Sequence, residues 1–160
     1  MRAVLIAGSL VLFDQLTKML ALVHLKLGDT IPILKNIVHL TLIHNSGAAF
    51  GFFKKRAALF IFISVVAILL ILFYTSTLLS INAKRFGQNY RFARWGLLLV
   101  LAGTIGNLID RIRFGYVVDF IDLRVWPVFN LADMCISLGG ILLIYHLVSV
   151  KRKAQSEKLR

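Results

Sequence analysis

The sequence predicts a membrane all-α protein: four transmembrane helices that carry a small extracytoplasmic antiparallel β-sheet cradle. Three observations carry this expectation. Hydrophobic residues make up 59% of the chain and charged residues 16%, with a mean hydropathy of +0.83, well outside the range of a soluble globular domain. Residues 57–83 form 27 consecutive positions without a charge, and a spanning helix needs about 20. Of the seven acidic side chains, six are aspartates, and most lie inside or at the edge of long apolar runs. A carboxylate near the centre of a bilayer costs roughly 2.5–3.5 kcal/mol, so it faces a cavity, a partner or a reaction.

The 160 residues allow a single domain. The first span, about 3–23, is apolar but interrupted by Asp14, Gln15, Thr17 and Lys18. Arg2 followed by an 11-residue apolar run resembles a secretory signal peptide. No small-x-small cleavage site follows, so a retained helix is expected. The second span is 57–80. The third, 94–112, is uncharged for 15 residues and needs its Arg94 and Asp110 flanks to reach across. The fourth, 129–149, is interrupted by Asn130 and Asp133, and residues 150–160 form a charged tail. Between the spans, 24–56 contains the β-rich Ile37-Val38-His39-Leu40-Thr41-Leu42-Ile43-His44 and then turns at Asn45-Ser46-Gly47. The 113–128 connection holds Gly115, Val117, Val118 and Pro127, again strand and turn chemistry.

A net charge of +12 raises nucleic acid as a partner, but Lys and Arg gather at span ends and in the tail, with no basic stripe interleaved with aromatics. They read as anchors to membrane lipids. Ten basic residues fall on the side of the termini, among them Arg2, Lys84, Arg85, Arg91, Arg94 and Arg160. Eight fall on the other side, among them Lys54, Lys55 and Arg56. The positive-inside rule therefore favours cytoplasmic termini only weakly. Cys135, the single cysteine, excludes an internal disulfide and reads as a small buried helix residue. His24, His39, His44 and His146 show no i, i+4 ligand pairing, so no metal site and no cofactor is expected, and the chain is expected to act as a monomer.

The polar residues form constellations. Asp14 and Lys18 are four apart on one helix face and pair within the span; orienting the first helix and contacting a substrate both remain open. In the third span Gly103, Asn107 and Asp110/Arg111 share a face, and Gly96, Gly103 and Gly106 permit close helix approach. Asp110 beside Arg111 reads as a charge-balanced pair, with Asp110 in support of the chemistry rather than performing it. Asn130 and Asp133 are three apart, about one turn inside the fourth span, and share a face. Asp119 follows Gly115-Tyr116-Val117-Val118 and precedes Phe120-Ile121, an apolar collar.

Two carboxylates brought together in a partly dry place cannot both ionise easily, so one keeps a proton. Such a dyad activates a water for attack on a peptide carbonyl and protonates the leaving amine, with Asn107 and Asn130 orienting the dyad or a carbonyl. The competing reading makes Asp119 a solvated loop residue and Asp133 a lone buried acid; spacing leaves both open. Asn45-Ser46-Gly47-Ala48-Ala49-Phe50-Gly51 is a run of small residues where backbone can approach a ligand.

Five blocks in this order resemble the lipoprotein signal peptidase family (type II signal peptidase). They are Asp14-Gln15-Leu16-Thr17-Lys18, Asn45-Ser46-Gly47-Ala48-Ala49-Phe50, Gly103-Thr104-Ile105-Gly106-Asn107-Leu108-Ile109-Asp110-Arg111, Val117-Val118-Asp119-Phe120 and Phe129-Asn130-Leu131-Ala132-Asp133. The resemblance implies an aspartyl endopeptidase of the bacterial cytoplasmic membrane that cuts the signal peptide from prolipoproteins before a diacylglyceryl-modified cysteine. It implies a catalytic dyad of Asp119 and Asp133, with Asp14, Lys18, Asn45, Asn107, Asp110, Arg111 and Asn130 supporting or contacting substrate. Gly47, Gly103 and Gly106 belong to the same blocks. It also implies cytoplasmic termini and an extracytoplasmic active site.

The chain departs from the family pattern in three places. Ala102-Gly103-Thr104 stands where Gly-Gly-Ala is usual, His44 precedes Asn45, and the loop 121–128 is short, with 14 residues from Asp119 to Asp133. A small transporter relaying protons through Asp14, Asp110 and Asp133 is the alternative reading. A non-catalytic scaffold makes poor use of so many costly polar groups.

Overall fold

The computed structural model describes residues 2–47, 57–80 and 89–158. The 48–51 part of the second block, the basic residues Lys54, Lys55, Arg56, Lys84 and Arg85, and Arg160 lie outside the described residues. Four helices are long and apolar enough to cross a membrane: α1 (Arg2–His24), α2 (Ala57–Ser80), α3 (Asn89–Phe114) and α4 (Leu131–Lys158). Among the described residues there are three strands, β1 (Thr30–Leu34), β2 (Val38–Asn45) and β3 (Val117–Asp122). They form one antiparallel sheet in the order β1-β2-β3.

The spans expected at 94–112 and 129–149 differ at their ends. α3 starts at Asn89, and α4 starts at Leu131 and continues to Lys158, so most of the expected tail is helical. Hydropathy marks the membrane-buried length, whereas Lys, Arg, Gln and Glu prolong a helix into water at little cost. At the other end of α4 the Asn130 side chain accepts the Asp133 amide at 2.9 Å. Asn130 is therefore the N-cap and not a residue one turn inside the helix.

The sheet begins where α1 stops. Asp29 closes a turn on the Lys26 amide at 2.9 Å, with Gly28 at φ 86. A second turn joins β1 to β2, with the Ile37 amide donating to the Leu34 carbonyl at 3.0 Å and Asn36 in the left-handed region. Pro32 sits in the edge strand, where a missing N–H is tolerated. β3 lies on the far side of β2, with Ile43 opposite Asp119 and Asn45 opposite Val117. Leu42, Val118 and Phe120 from the sheet pack with Ala21 and Leu25 at the end of α1, which seats the sheet on the helices.

α3 is the central helix and touches the other three. Its contact with α4 is backbone-close. Gly96 and Gly139 face each other, each lying within reach of the other's carbonyl oxygen, and Gly103 lies against the Ala132 carbonyl. In lipid, helices gain from such small-residue contact because apolar burial between them adds little. The loop after β3 is short and closed. Phe129 pairs with Ile121 through the Phe129 amide at 3.0 Å and the Ile121 amide at 2.8 Å. Asp122 caps the turn on the Arg124 amide at 2.7 Å. This trimmed loop returns the chain directly to β3, so Asn130 emerges beside Val118 and Asp119.

Gly103→Val is expected to lower the melting temperature in detergent, by the equivalent of ~1–3 kcal/mol for overpacking. A Cβ at that position meets the Ala132 carbonyl and Ile136. Gly8→Ala, where a Cβ meets nothing within 4 Å, is the control, and equal melting temperatures for the two variants would contradict the packing described.

Candidate active site

The site grows from a buried ammonium. Lys18, 2% exposed, extends from α1 and lies 2.9 Å from Asp14 Oδ2 and 2.9 Å from Asp110 Oδ2. Its Nζ also donates to Asn107 Oδ1 at 2.9 Å. Asp14 therefore pairs with Lys18 as its spacing predicts. Asp110 also pairs with Lys18, not with its neighbour Arg111. Arg111 Nη1 reaches the Asn107 carbonyl at 3.4 Å and its guanidinium lies over the Phe60 ring at 5.4 Å. The expected Asp110–Arg111 pair fails because consecutive helix residues point about 100° apart.

Each carboxylate uses its remaining capacity to tie in another element. Asp14 Oδ1 accepts the Ala132 amide at 2.9 Å, satisfying one of the orphan N–H groups at the start of α4. Asp110 Oδ2 accepts the Val118 amide of β3 at 3.0 Å. Gln15 Nε2 lies within 3.2 Å of Asp14 Oδ2, Gly106 O and Asp110 Oδ1. Gly106 leaves room for the Asp14 carboxylate, which a Cβ there would meet at 2.6 Å.

Asn107 and Asn130 carry this order outward. With the Asn107 oxygen on Lys18, its Nδ2 points to Asp133 Oδ1 at 2.7 Å. With the Asn130 oxygen capping α4, its Nδ2 points to Asp119 Oδ1 at 2.7 Å, Asn107 Oδ1 at 3.1 Å and the Val118 carbonyl at 3.3 Å. Asp133 Oδ2 returns to the Asn130 amide at 3.3 Å, a reciprocal cap. Asp119 and Asp133 thus flank one fully buried asparagine. Asn45, diagonal to Asp119 across the β2–β3 pair, donates to Asp119 Oδ2 at 2.8 Å and accepts the Gly47 amide at 2.9 Å. Gly47, at φ 82, lies against the Phe60 ring.

Asp119 is 1% exposed. Burial pushes its carboxyl from 3.8 up to about 6, helped by the charge of Asp133 and opposed by hydrogen bonds from Asn45 and Asn130 and by the Lys18 charge. A carboxyl poised there holds or accepts a proton near neutral pH, as acid–base chemistry needs. His44 stacks on Tyr116 at 3.9 Å, and its burial lowers its pKa. The Arg124 amide, with help from Thr41, keeps Asp122 below the ordinary range, so Asp122 serves as a turn cap outside the cluster. A groove of about 130 Å³ between α1 and α3, lined in part by Leu12, Leu16, Met19, Leu22 and Phe114, reaches Lys18 and Asp110.

The structure brings together Asp14, Lys18, Asn45, Asn107, Asp110, Asp119, Asn130 and Asp133 in one hydrogen-bonded network, with Gly103 and Gly106 at its helix contacts and Gly47 at its edge. Arg111 borders it through the Asn107 backbone. Sequence reasoning passed over Gln15 as a site residue, although a polar residue inside an apolar span is itself a signal. It also passed over the cap, which the pattern Asn130-Leu131-Ala132-Asp133 announces. Among the described residues, no group of His, Cys, Asp or Glu is arranged to hold a metal ion.

A model of the family described as Signal peptidase (SPase) II matches residues 6–149. The chain belongs to the signal peptidase II family. The lipoprotein signal peptidase of Halothermothrix orenii is 46% identical over 137 residues, covering 86% of this chain and 88% of its own. That of Moorella thermoacetica is 41% identical over 145 residues, covering 90% and 91%. A bacterial membrane enzyme solved at 2.3 Å by the in meso method superposes with a TM-score of 0.78 at 31% identity, covering 92% of this chain and 88% of that one. Membership makes the chain a protease, and with the four spans a multi-pass protein of a bacterial inner membrane.

Lys18→Met leaves Asp14 and Asp110 buried without their cation and is expected to destabilise the protein by ~3–5 kcal/mol, measured by thermal denaturation in detergent. Because the Asp119 carboxyl lies above its ordinary value when folded, its contribution to stability is full below 3.8 and is lost as pH rises to about 6, by about 3 kcal/mol. Melting curves of Asp119→Asn should lack this decline, and a decline as large as that of the native chain would assign it to another group.

Proposed function

We propose that the chain is an aspartyl endopeptidase that removes signal peptides from diacylglyceryl-modified prolipoproteins, cutting before the lipidated cysteine. The observation that carries this reading is the placement of Asp119 and Asp133 on either side of Asn130, each carboxyl held by amide donors. The relatives named lipoprotein signal peptidase support the substrate. The termini are cytoplasmic, and the dyad works on the extracytoplasmic side.

The lipidated substrate enters from the membrane with its acyl chains against the bundle and its scissile bond at headgroup level. The dyad shares one proton. The ionised carboxyl takes a proton from water, whose oxygen attacks the carbonyl carbon, while the protonated carboxyl donates to the carbonyl oxygen. Collapse of the tetrahedral intermediate expels the amine of the lipidated cysteine, which leaves with a proton from the dyad. Asn107 and Asn130 keep the carboxyls from turning away, and the Lys18 cluster fixes both amides. Most of the acids lie at one rim of the bundle, where a dyad needs them, rather than spread through its depth as a proton relay would require.

Asp119→Asn and Asp133→Asn are each expected to reduce cleavage of a diacylglyceryl-modified precursor by ~10²-fold or more, with the protein still inserted in the membrane. The native chain should process the lipidated precursor and leave its unlipidated form uncut. Full activity in either variant sinks the dyad, and equal cleavage of the two precursors sinks the lipid requirement.

A further inference from the structure

A second site lies at the opposite end of the bundle. The first turns of α1 and α3 border an open pocket of about 270 Å³, roomy enough for a small polar group. Three arginines line it, Arg2 from α1 and Arg91 and Arg94 from α3, together with Tyr90 and Trp95. Ile6 and Leu98 make its apolar side. Arg91 and Arg94 are three apart on one helix face, where like charges repel. Among the described residues the ion pairs are Lys18–Asp14, Lys18–Asp110 and Arg124–Asp122, so none of these arginines meets a carboxylate. The aspartates are committed elsewhere, in the Lys18 cluster, at the Asp119–Asp133 site and in the turns capped by Asp29 and Asp122.

Its depth sets the chemistry. Arg94 and Asp110 lie on the same helix about 24 Å apart at 1.5 Å per residue, against a hydrocarbon core of ~30 Å. The cavity therefore sits at the membrane–water boundary opposite the carboxylates. Tyr90 and Trp95 fit the aromatic belt of that boundary. Three exposed arginines lining one pocket, with no carboxylate partner among the described residues and with Ile6 and Leu98 beside them, match a phosphodiester joined to acyl chains.

We propose that Arg2, Arg91 and Arg94 bind the headgroup phosphate of an anionic phospholipid, whose acyl chains run along Ile6 and Leu98 and clamp the N-terminal ends of α1 and α3. This site is separate from the peptidase substrate and stands whether or not the dyad assignment holds.

The test is lipid retention. Protein purified in mild detergent from bacterial membranes is expected to carry phosphatidylglycerol or cardiolipin by native mass spectrometry. The Arg91→Gln/Arg94→Gln double variant should lose it about tenfold or more, and Arg91→Lys/Arg94→Lys should lose less. Cleavage activity in zwitterionic lipid should not change. Because the double variant could misfold, a second measurement keeps the arginines intact. In Trp126→Phe, Trp95 is the remaining tryptophan. Its fluorescence should be quenched more strongly by brominated phosphatidylglycerol than by brominated phosphatidylcholine. Equal retention by the double variant, or equal quenching by the two lipids, overturns the proposal. Stabilisation by glycerol phosphate or inorganic phosphate matching that by the lipid also overturns it, identifying a soluble phosphate as the ligand.

Discussion

One ammonium group holds the architecture together. Lys18 lies between two carboxylates and an amide oxygen, all at 2.9 Å, and is nearly removed from solvent. Desolvating three ions is costly, and here each carboxylate oxygen of Asp14 and Asp110 and the ammonium group accepts or donates a hydrogen bond. The second oxygen of Asp14 takes an amide at the start of α4, and Asp110 takes an amide of β3. The Asn107 amide nitrogen is turned toward Asp133. The position of a single cation thereby fixes α1, α3, α4 and the sheet relative to one another.

The same interactions that start α4 shape the acid site. Asn130 is the N-cap and Asp133 the acid three residues on, a pairing that would stabilise any helix start. Here the cap's amide nitrogen also reaches Asp119. The close approach of α4 needs Gly103 against Ala132 and Gly106 beneath the Asp14 carboxylate. The small residues in α3 are thus a condition for the polar network, and the network in turn compensates for the weak apolar drive between helices in lipid.

Much of this was legible in the sequence, at particular residues. The uncharged run from residue 57 is helical in α2, and the i, i+4 spacing of Asp14 and Lys18 produces the expected pair. The β-rich run from Ile37 and the Val117-Val118 segment pair as strands of one antiparallel sheet. Asp110 was misread because its sequence neighbour Arg111 carries an opposite charge, whereas its true partner lies 92 positions away (110 − 18) on another helix. The start of α4 was misplaced because hydropathy does not register caps. Gln15 was passed over because its partners Gly106 and Asp110 lie far off in the chain.

Composition, apolar run length and local spacing determined by themselves the membrane class, the number of spans, the antiparallel sheet and the pairing of Asp14 with Lys18. Those properties depend on the transfer of each segment from water to lipid and on periodicities within a single element. Only the tertiary structure decided which carboxylate meets which cation, that Asn130 stands between Asp119 and Asp133, and that three arginines line one pocket with no carboxylate partner among the described residues. Hydrogen bonds and ion pairs act over a few ångströms and in fixed directions, and those distances exist only once separate helices have packed.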